Sequence, residues 1–139
     1  MKKTSVDLFR NELGFIPHLP GTPEAINADS FDEDVIESLV PVLVEFWAAR
    51  CAPCRRLAPE IAALAADFGG SARVFTLNVD EEPDAAERFG VRSIPAVLLF
   101  VEGQEKGRLV GEISRSTLVH LIQPYLGNHS RNQLPEGEE

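Results

Sequence analysis

The sequence predicts an α/β domain with a central mixed sheet of about five strands and helices on both faces. Three observations carry that prediction. Segments with strand patterning alternate with segments of helical spacing in the order β-α-β-α-β-α-β-β-α. Segment 42–47 is almost continuously apolar, which suits a strand covered on both faces, and 96–101 is a second strong strand. The last two strands are separated by Glu102-Gly103, a turn that makes them a hairpin. Strands joined by helical crossovers pair in parallel with right-handed connections; the hairpin adds an antiparallel pair, so the sheet is mixed.

Each element has a local reason. Residues 4–13 suit a short helix, with Val6, Phe9 and Leu13 on one face and Gly14 as its stop. Pro17, Pro20, Gly21 and Pro23 make a linker, so 1–23 is an N-terminal extension that either docks on the domain or stays mobile. The main domain, 24–126, opens with a short edge strand at 25–28. Ser30, with Glu33 three residues on, forms a capping-box pattern that starts a helix running to about Leu39, and Pro41 ends it. After strand 42–47, Pro53 opens a helix with Leu57, Ile61, Leu64, Ala65 and Phe68 at helical spacing. Pro59 should kink it and Gly69-Gly70 should stop it.

Residues 74–79 are the next strand. Pro83 fits a first helical turn, with Glu81, Glu82 and Asp84 near the positive helix end, and Gly90 closes that short helix. Strands at 96–101 and 106–110 form the hairpin. Ser114 caps a last helix whose Leu118, Leu121, Ile122 and Tyr125 face the core. Residues 127–139 read as a flexible acidic tail.

The chain has 139 residues, 44% hydrophobic and 25% charged, enough for one domain with a sizeable core. Its net charge of −9 argues against a general nucleic-acid binder, which needs a basic face for phosphates. No apolar run is long enough to cross a bilayer, so no membrane partner is expected. Lys2 and Lys3 are not followed by an apolar stretch before Asp7, and the expected location is therefore cytoplasmic. In that compartment an isolated cysteine pair is catalytic or metal-binding more often than a structural staple.

Cys51 and Cys54 are the only cysteines, and they directly follow the apolar strand. Two thiols separated by two residues can close into a disulfide with little backbone movement. Cys51 falls just before the helix that Pro53 opens, where outward N–H groups and the positive dipole end favour a thiolate, and Arg50 and Arg55 flank it. Cys54, in the first turn, should be more shielded and more neutral. The expected roles are Cys51 as nucleophile and Cys54 as resolving thiol. Between them, Ala52 adds little bulk and Pro53 stiffens the turn, so both shape the site. CxxC is also half of a zinc site, but a structural zinc needs four ligands. There is no second CxxC, and His18, His120 and His129 have no ligand spacing, so no metal is expected.

The run Glu45-Phe46-Trp47-Ala48-Ala49-Arg50-Cys51-Ala52-Pro53-Cys54-Arg55, with the later Phe89-Gly90-Val91-Arg92-Ser93-Ile94-Pro95-Ala96-Val97-Leu98-Leu99-Phe100, resembles thioredoxin. Leu77-Asn78-Val79-Asp80 and Val110-Gly111 fit the same pattern, and the resemblance covers roughly 24–126. It implies the thioredoxin fold and a protein-disulfide reductase with no bound cofactor. It implies electrons from an NADPH-dependent thioredoxin reductase, disulfide-containing target proteins as partners, and a monomer maintaining redox homeostasis. It also implies a cis Pro95 beside the cysteines, with the backbone of Ile94 presented to a substrate segment. Trp47 matches the aromatic residue behind the active-site loop. Gly111 matches a glycine where bulk would block the target groove. Glu45 matches a buried acid beneath the resolving cysteine, a proton acceptor with a raised pKa.

Four departures from the familiar pattern stand out. Glu45 replaces the usual Asp, Arg50 the usual Trp, Ala52 the usual Gly, and Thr76 a Lys often found near the acid. These bear on redox poise, proton transfer and docking; the two-thiol chemistry is intact. Two other functions compete. An oxidase or isomerase would need a more oxidising pair and an export signal. A binding module or co-chaperone would use the 1–23 extension as its docking segment.

Overall fold

A computed structural model describes residues 21–126. The expected helix at 4–13, His18, His129 and the 127–139 tail lie outside the described residues. Five strands are described: β1 (Glu24–Ala25), β2 (Val42–Trp47), β3 (Arg73–Asn78), β4 (Ala96–Val101) and β5 (Gln104–Val110). They form one sheet in the order β1-β3-β2-β4-β5. β1 and β2 run parallel to β3, and β4 runs antiparallel to both β2 and β5. The central strand is therefore β2, with Glu45 opposite Thr76 on one side and Val97 on the other.

Among the described residues four helices cover the sheet: α1 (Ala28–Phe31, widening into a π-type turn over Asp32–Ile36), α2 (Ala52–Phe68), α3 (Pro83–Arg88) and α4 (Arg115–Ile122), the last extended by a 3-10 turn over Gln123–Tyr125. Ser30, expected to cap α1, is its third residue. Asn27 is the cap: its side chain accepts from the Ser30 N–H at 2.9 Å, and Ser30 Oγ accepts from the Asn27 N–H at 3.3 Å. The box is real but starts three residues earlier, because Asn is as good a cap as Ser and the hydroxyl can return the bond.

The same helix ends at Ile36 rather than near Leu39. Ser38 Oγ donates to the Val40 carbonyl at 2.8 Å and accepts from its N–H at 3.2 Å, giving the backbone an alternative to another helical turn. Leu39 is left 99% exposed. α2 continues across Pro59 without interruption and stops at Gly69, which sits at φ 56°. The expected cap of α4 is as predicted: Ser114 Oγ accepts from the Thr117 N–H at 3.1 Å.

Alternation along the strands divides the core in two. On one face Val44, Phe46, Phe75, Leu98 and Phe100 meet Phe31 and Val35 of α1 and Ala85 and Ala86 of α3. On the other, Leu43, Val74, Val97 and Leu99 meet Leu57, Ile61, Leu64 and Phe68 of α2 and Leu118 and Ile122 of α4. Glu45, two residues on from Leu43, belongs to this second face. Tyr125 and Leu121, expected in the core, are partly buried at its margin.

Candidate active site

The site lies where β2 hands the chain to α2. β2 is buried from Val42 to Phe46, and Trp47 is half-buried at its end. A tight turn follows, closed by the Cys51 N–H donating to the Ala48 carbonyl at 3.1 Å. Arg55 reaches back from α2, its Nη1 donating to the Ala49 carbonyl at 2.7 Å. The Val79 N–H donates to the Trp47 carbonyl at 2.8 Å, so the end of β3 holds the other side. The loop that carries the cysteines is thus fixed from both directions.

Cys51 is itself the N-cap of α2: its sulfur accepts from the Cys54 N–H at 3.1 Å. The helix begins at Ala52, one residue earlier than Pro53 suggested, because a sulfur can serve as a capping acceptor. Cys51 and Cys54 are joined as a disulfide, with Cα atoms 5.2 Å apart. Cys51 is 9% exposed and Cys54 only 2%, while Ala52 and Pro53 between them are exposed. Ala48 completes this small cluster, and Trp47, Val79 and Ile94 pack around it.

The Ile94–Pro95 peptide is cis, and Pro95 is buried. The Gly111 N–H donates to the Pro95 carbonyl at 3.0 Å, and Gly111 adopts φ 89°, a conformation that a side chain would strain. Pro53, Ile94, Pro95 and Gly111 line a cleft of about 300 Å³ on one side of the cysteines, together with Arg56, Leu57, Glu60, Glu112 and Ile113. A second groove, of about 430 Å³, lies on the other side and runs from Arg50 past Val79 to α3 and Ile94. Ile94 is shared by both. The structure therefore brings together Arg50, Cys51, Pro53, Cys54, Trp47, Ile94, Pro95 and Gly111 around the cysteine-bearing turn, with the two cysteines and Pro95 buried among them.

Glu45 lies beneath, in the middle of β2 and only 4% exposed. Burial alone pushes its carboxyl up to about 7, since the charged form loses water. Thr76, opposite it on β3, brings no cation to offset that loss. Arg50 is anchored differently. Its Nε and Nη2 donate to the two carboxylate oxygens of Asp80 at 3.1 and 3.0 Å, a side-on fork that ties the active-site loop to the loop after β3. The Asp80 hydrogen bonds, then its charge, raise the guanidinium's pKa further. Asn78 shapes that loop, its Oδ1 accepting from the Asp80 N–H at 2.9 Å. Sequence reasoning assigned Asp80 and Val79 no role at the site. The available signal was that β2 and β3 are parallel neighbours, so their carboxyl ends lie side by side.

Two buried cysteines, one less deeply than the other, joined across the first turn of a helix at the carboxyl end of a central strand, define a thiol–disulfide oxidoreductase. The thioredoxin family model matches residues 22–124, and the chain belongs to the thioredoxin family. It is 43% identical over 103 residues to the chloroplastic M-type thioredoxin of Pisum sativum, a match covering 74% of this chain and 60% of the relative's length. It is 41% identical over 108 residues to the thioredoxin of Synechocystis sp., covering 78% of this chain and 100% of that one. Among solved structures, a mutant thioredoxin from Halobacterium salinarum superposes with a TM-score of 0.72 at 30% identity, covering 81% of this chain and 97% of that chain.

One expectation is corrected by these findings. The pea relative and several other plant relatives are named chloroplastic, which overturns the cytoplasmic reading. The physical reason is simple. Two-thiol chemistry needs a supply of electrons rather than a particular compartment, and targeting is a receptor-read address that the charge and composition of a domain do not encode.

Proposed function

We propose that this protein reduces disulfides in other proteins by dithiol–disulfide exchange through Cys51 and Cys54. In the reduced protein the Cys51 thiolate attacks one sulfur of the target disulfide. A Cys51–target disulfide forms, and the target's other sulfur leaves as a thiolate and takes a proton. Cys54 then gives up its proton and attacks the Cys51 sulfur, so the intramolecular disulfide forms and the second target sulfur leaves. Two electrons pass to the target. An NADPH-dependent thioredoxin reductase returns them, with no cofactor bound to this chain, and the working unit is a monomer.

The observation that carries this reading is the asymmetry of the pair. Cys51, at the helix N-terminus and the more accessible of the two, has the surroundings of an attacker; Cys54, behind it, has those of a resolver. Glu45 is the acceptor proposed for the Cys54 proton, relayed by water. With its carboxyl pushed up to about 7, both protonation states are populated near neutrality, as acid–base exchange requires. Trp47, Ile94, Pro95 and Gly111 would receive the target segment, with Ala52, Pro53 and Arg50 shaping the mouth.

Insulin reduction driven by dithiothreitol tests the proposal. The wild-type chain should accelerate precipitation of the insulin B chain, and Cys51→Ser should fall to the uncatalysed rate. Equal rates for the two would end it.

A further inference from the structure

The groove between the active-site loop and α3 has a feature that disulfide exchange itself does not require. Its rim at the cysteines is a guanidinium, that of Arg50, whose side chain remains 67% exposed although Asp80 grips it. The fork to Asp80 uses Nε and one N–H of Nη2, which leaves three of the guanidinium's five N–H donors not engaged by Asp80 on a side chain that is mostly exposed. A second guanidinium, Arg92, stands on the same groove next to Ile94 and is also exposed. The floor between them is apolar: Val79, Ala86, Val91 and Ile94. From Phe46 to Pro59 the chain carries Arg50, Arg55 and Arg56 and no acid, on a protein whose net charge is −9.

We infer that Arg50 is a specificity residue for the disulfide exchange proposed above, selecting target segments that place a carboxylate beside the disulfide and lay an apolar residue in this groove. The Asp80 fork positions the guanidinium over the mouth. The hold is weak enough to share, because an ion pair this exposed is screened by water and holds its partners only loosely. A target carboxylate can therefore bond the remaining N–H groups in end-on geometry while Asp80 keeps the side-on pair. The groove's own acids, Asp80 and Glu87, work against a carboxylate, which keeps the expected selectivity modest. Because this inference rests on the proposed reductase activity, the test must separate the two.

Three disulfide-bridged peptides, identical except for Glu, Gln or Lys next to the attacked cysteine, supply the test. Their kcat/KM values are compared for the wild-type chain, Arg50→Gln and Asp80→Asn, at low and high salt. A ratio between peptides within one variant cancels any loss of folded protein or change in thiol reactivity. The wild type should prefer Glu over Lys by roughly two- to fivefold, through KM, with the preference fading at high salt. Asp80→Asn should widen the ratio, and Arg50→Gln should erase or invert it. A wild-type ratio at or below one, or a ratio that Arg50→Gln leaves unchanged, overturns the inference while the reductase stands. If no peptide is reduced faster than by Cys51→Ser, both fall.

Discussion

On the face covered by α1 and α3, the sheet meets phenylalanine. On the face covered by α2 and α4, it meets leucine, isoleucine and, at one position, a carboxylate. The first face is built around Phe31, Phe89 and Phe100, with ring centroids 4.9 to 5.6 Å apart, and Phe46 reaches Phe89 at 6.5 Å. Arg88 lies over two of these rings, 5.4 Å from the centroid of Phe31 and 4.8 Å from that of Phe89, and closes the edge. The second face packs aliphatic side chains from two helices but must also house Glu45. The buried residues of the first face are apolar throughout. The other accepts a destabilising group on the same side of the sheet as the helix that bears the cysteines, as a functional site set on a stable scaffold would.

The largest stability effect should come from the aromatic face. Phe100→Ala removes a ring that two others contact and should cost about 3–5 kcal/mol in urea unfolding. Leu99→Ala, its neighbour on the opposite face, should cost about 2–5 kcal/mol. A Phe100→Ala cost below that of an ordinary surface substitution would mean that the aromatic cluster is not what holds its face together.

Glu45 sharpens the contrast through pH. Its carboxyl titrates near 7 when folded and near 4.5 when unfolded. Below pH 4.5 both states hold the proton and the position is harmless. As pH rises from 4.5 through 7 the unfolded chain releases its proton first, so stability falls, and the loss levels off at about 3 kcal/mol. Stability curves at about pH 5 and about pH 8 should differ by most of that amount, and Glu45→Gln should remove its share of the slope. An unaltered slope in Glu45→Gln would show that Glu45 is not held in a desolvated setting. The smallest effects should be at the caps. Asn27→Ala on the aromatic side and Ser114→Ala on the aliphatic side should each cost about 1 kcal/mol. Similar losses would place the difference between the faces in their cores; a much larger loss at one cap would move it to the helix ends.

Much of this was legible in the chain. The apolar runs match β2 and β4 to the residue, because in a strand buried on both faces an apolar run, broken here only by Glu45, marks the limits. The cysteine pair and Glu45 stood out for the same reason, as groups that an apolar setting does not explain. Less legible were features set by competition between neighbours. Asn27 and Ser30 both suit a cap, and only the fold decides that Asn27 takes it. Ser38 diverts the end of α1 through bonds made two residues away. The Arg50–Asp80 fork joins residues 30 apart in sequence, and no local pattern announces it.

The sulfur of Cys51 also fastens the first turn of α2, through the bond from the Cys54 amide. The atom proposed to form and break bonds in every cycle is therefore a fixture of the scaffold. Two inactive versions should not behave alike: serine keeps an oxygen for that amide, whereas alanine leaves the turn unlatched. Chemistry and architecture share one atom here, and the choice of replacement decides which of them an experiment removes.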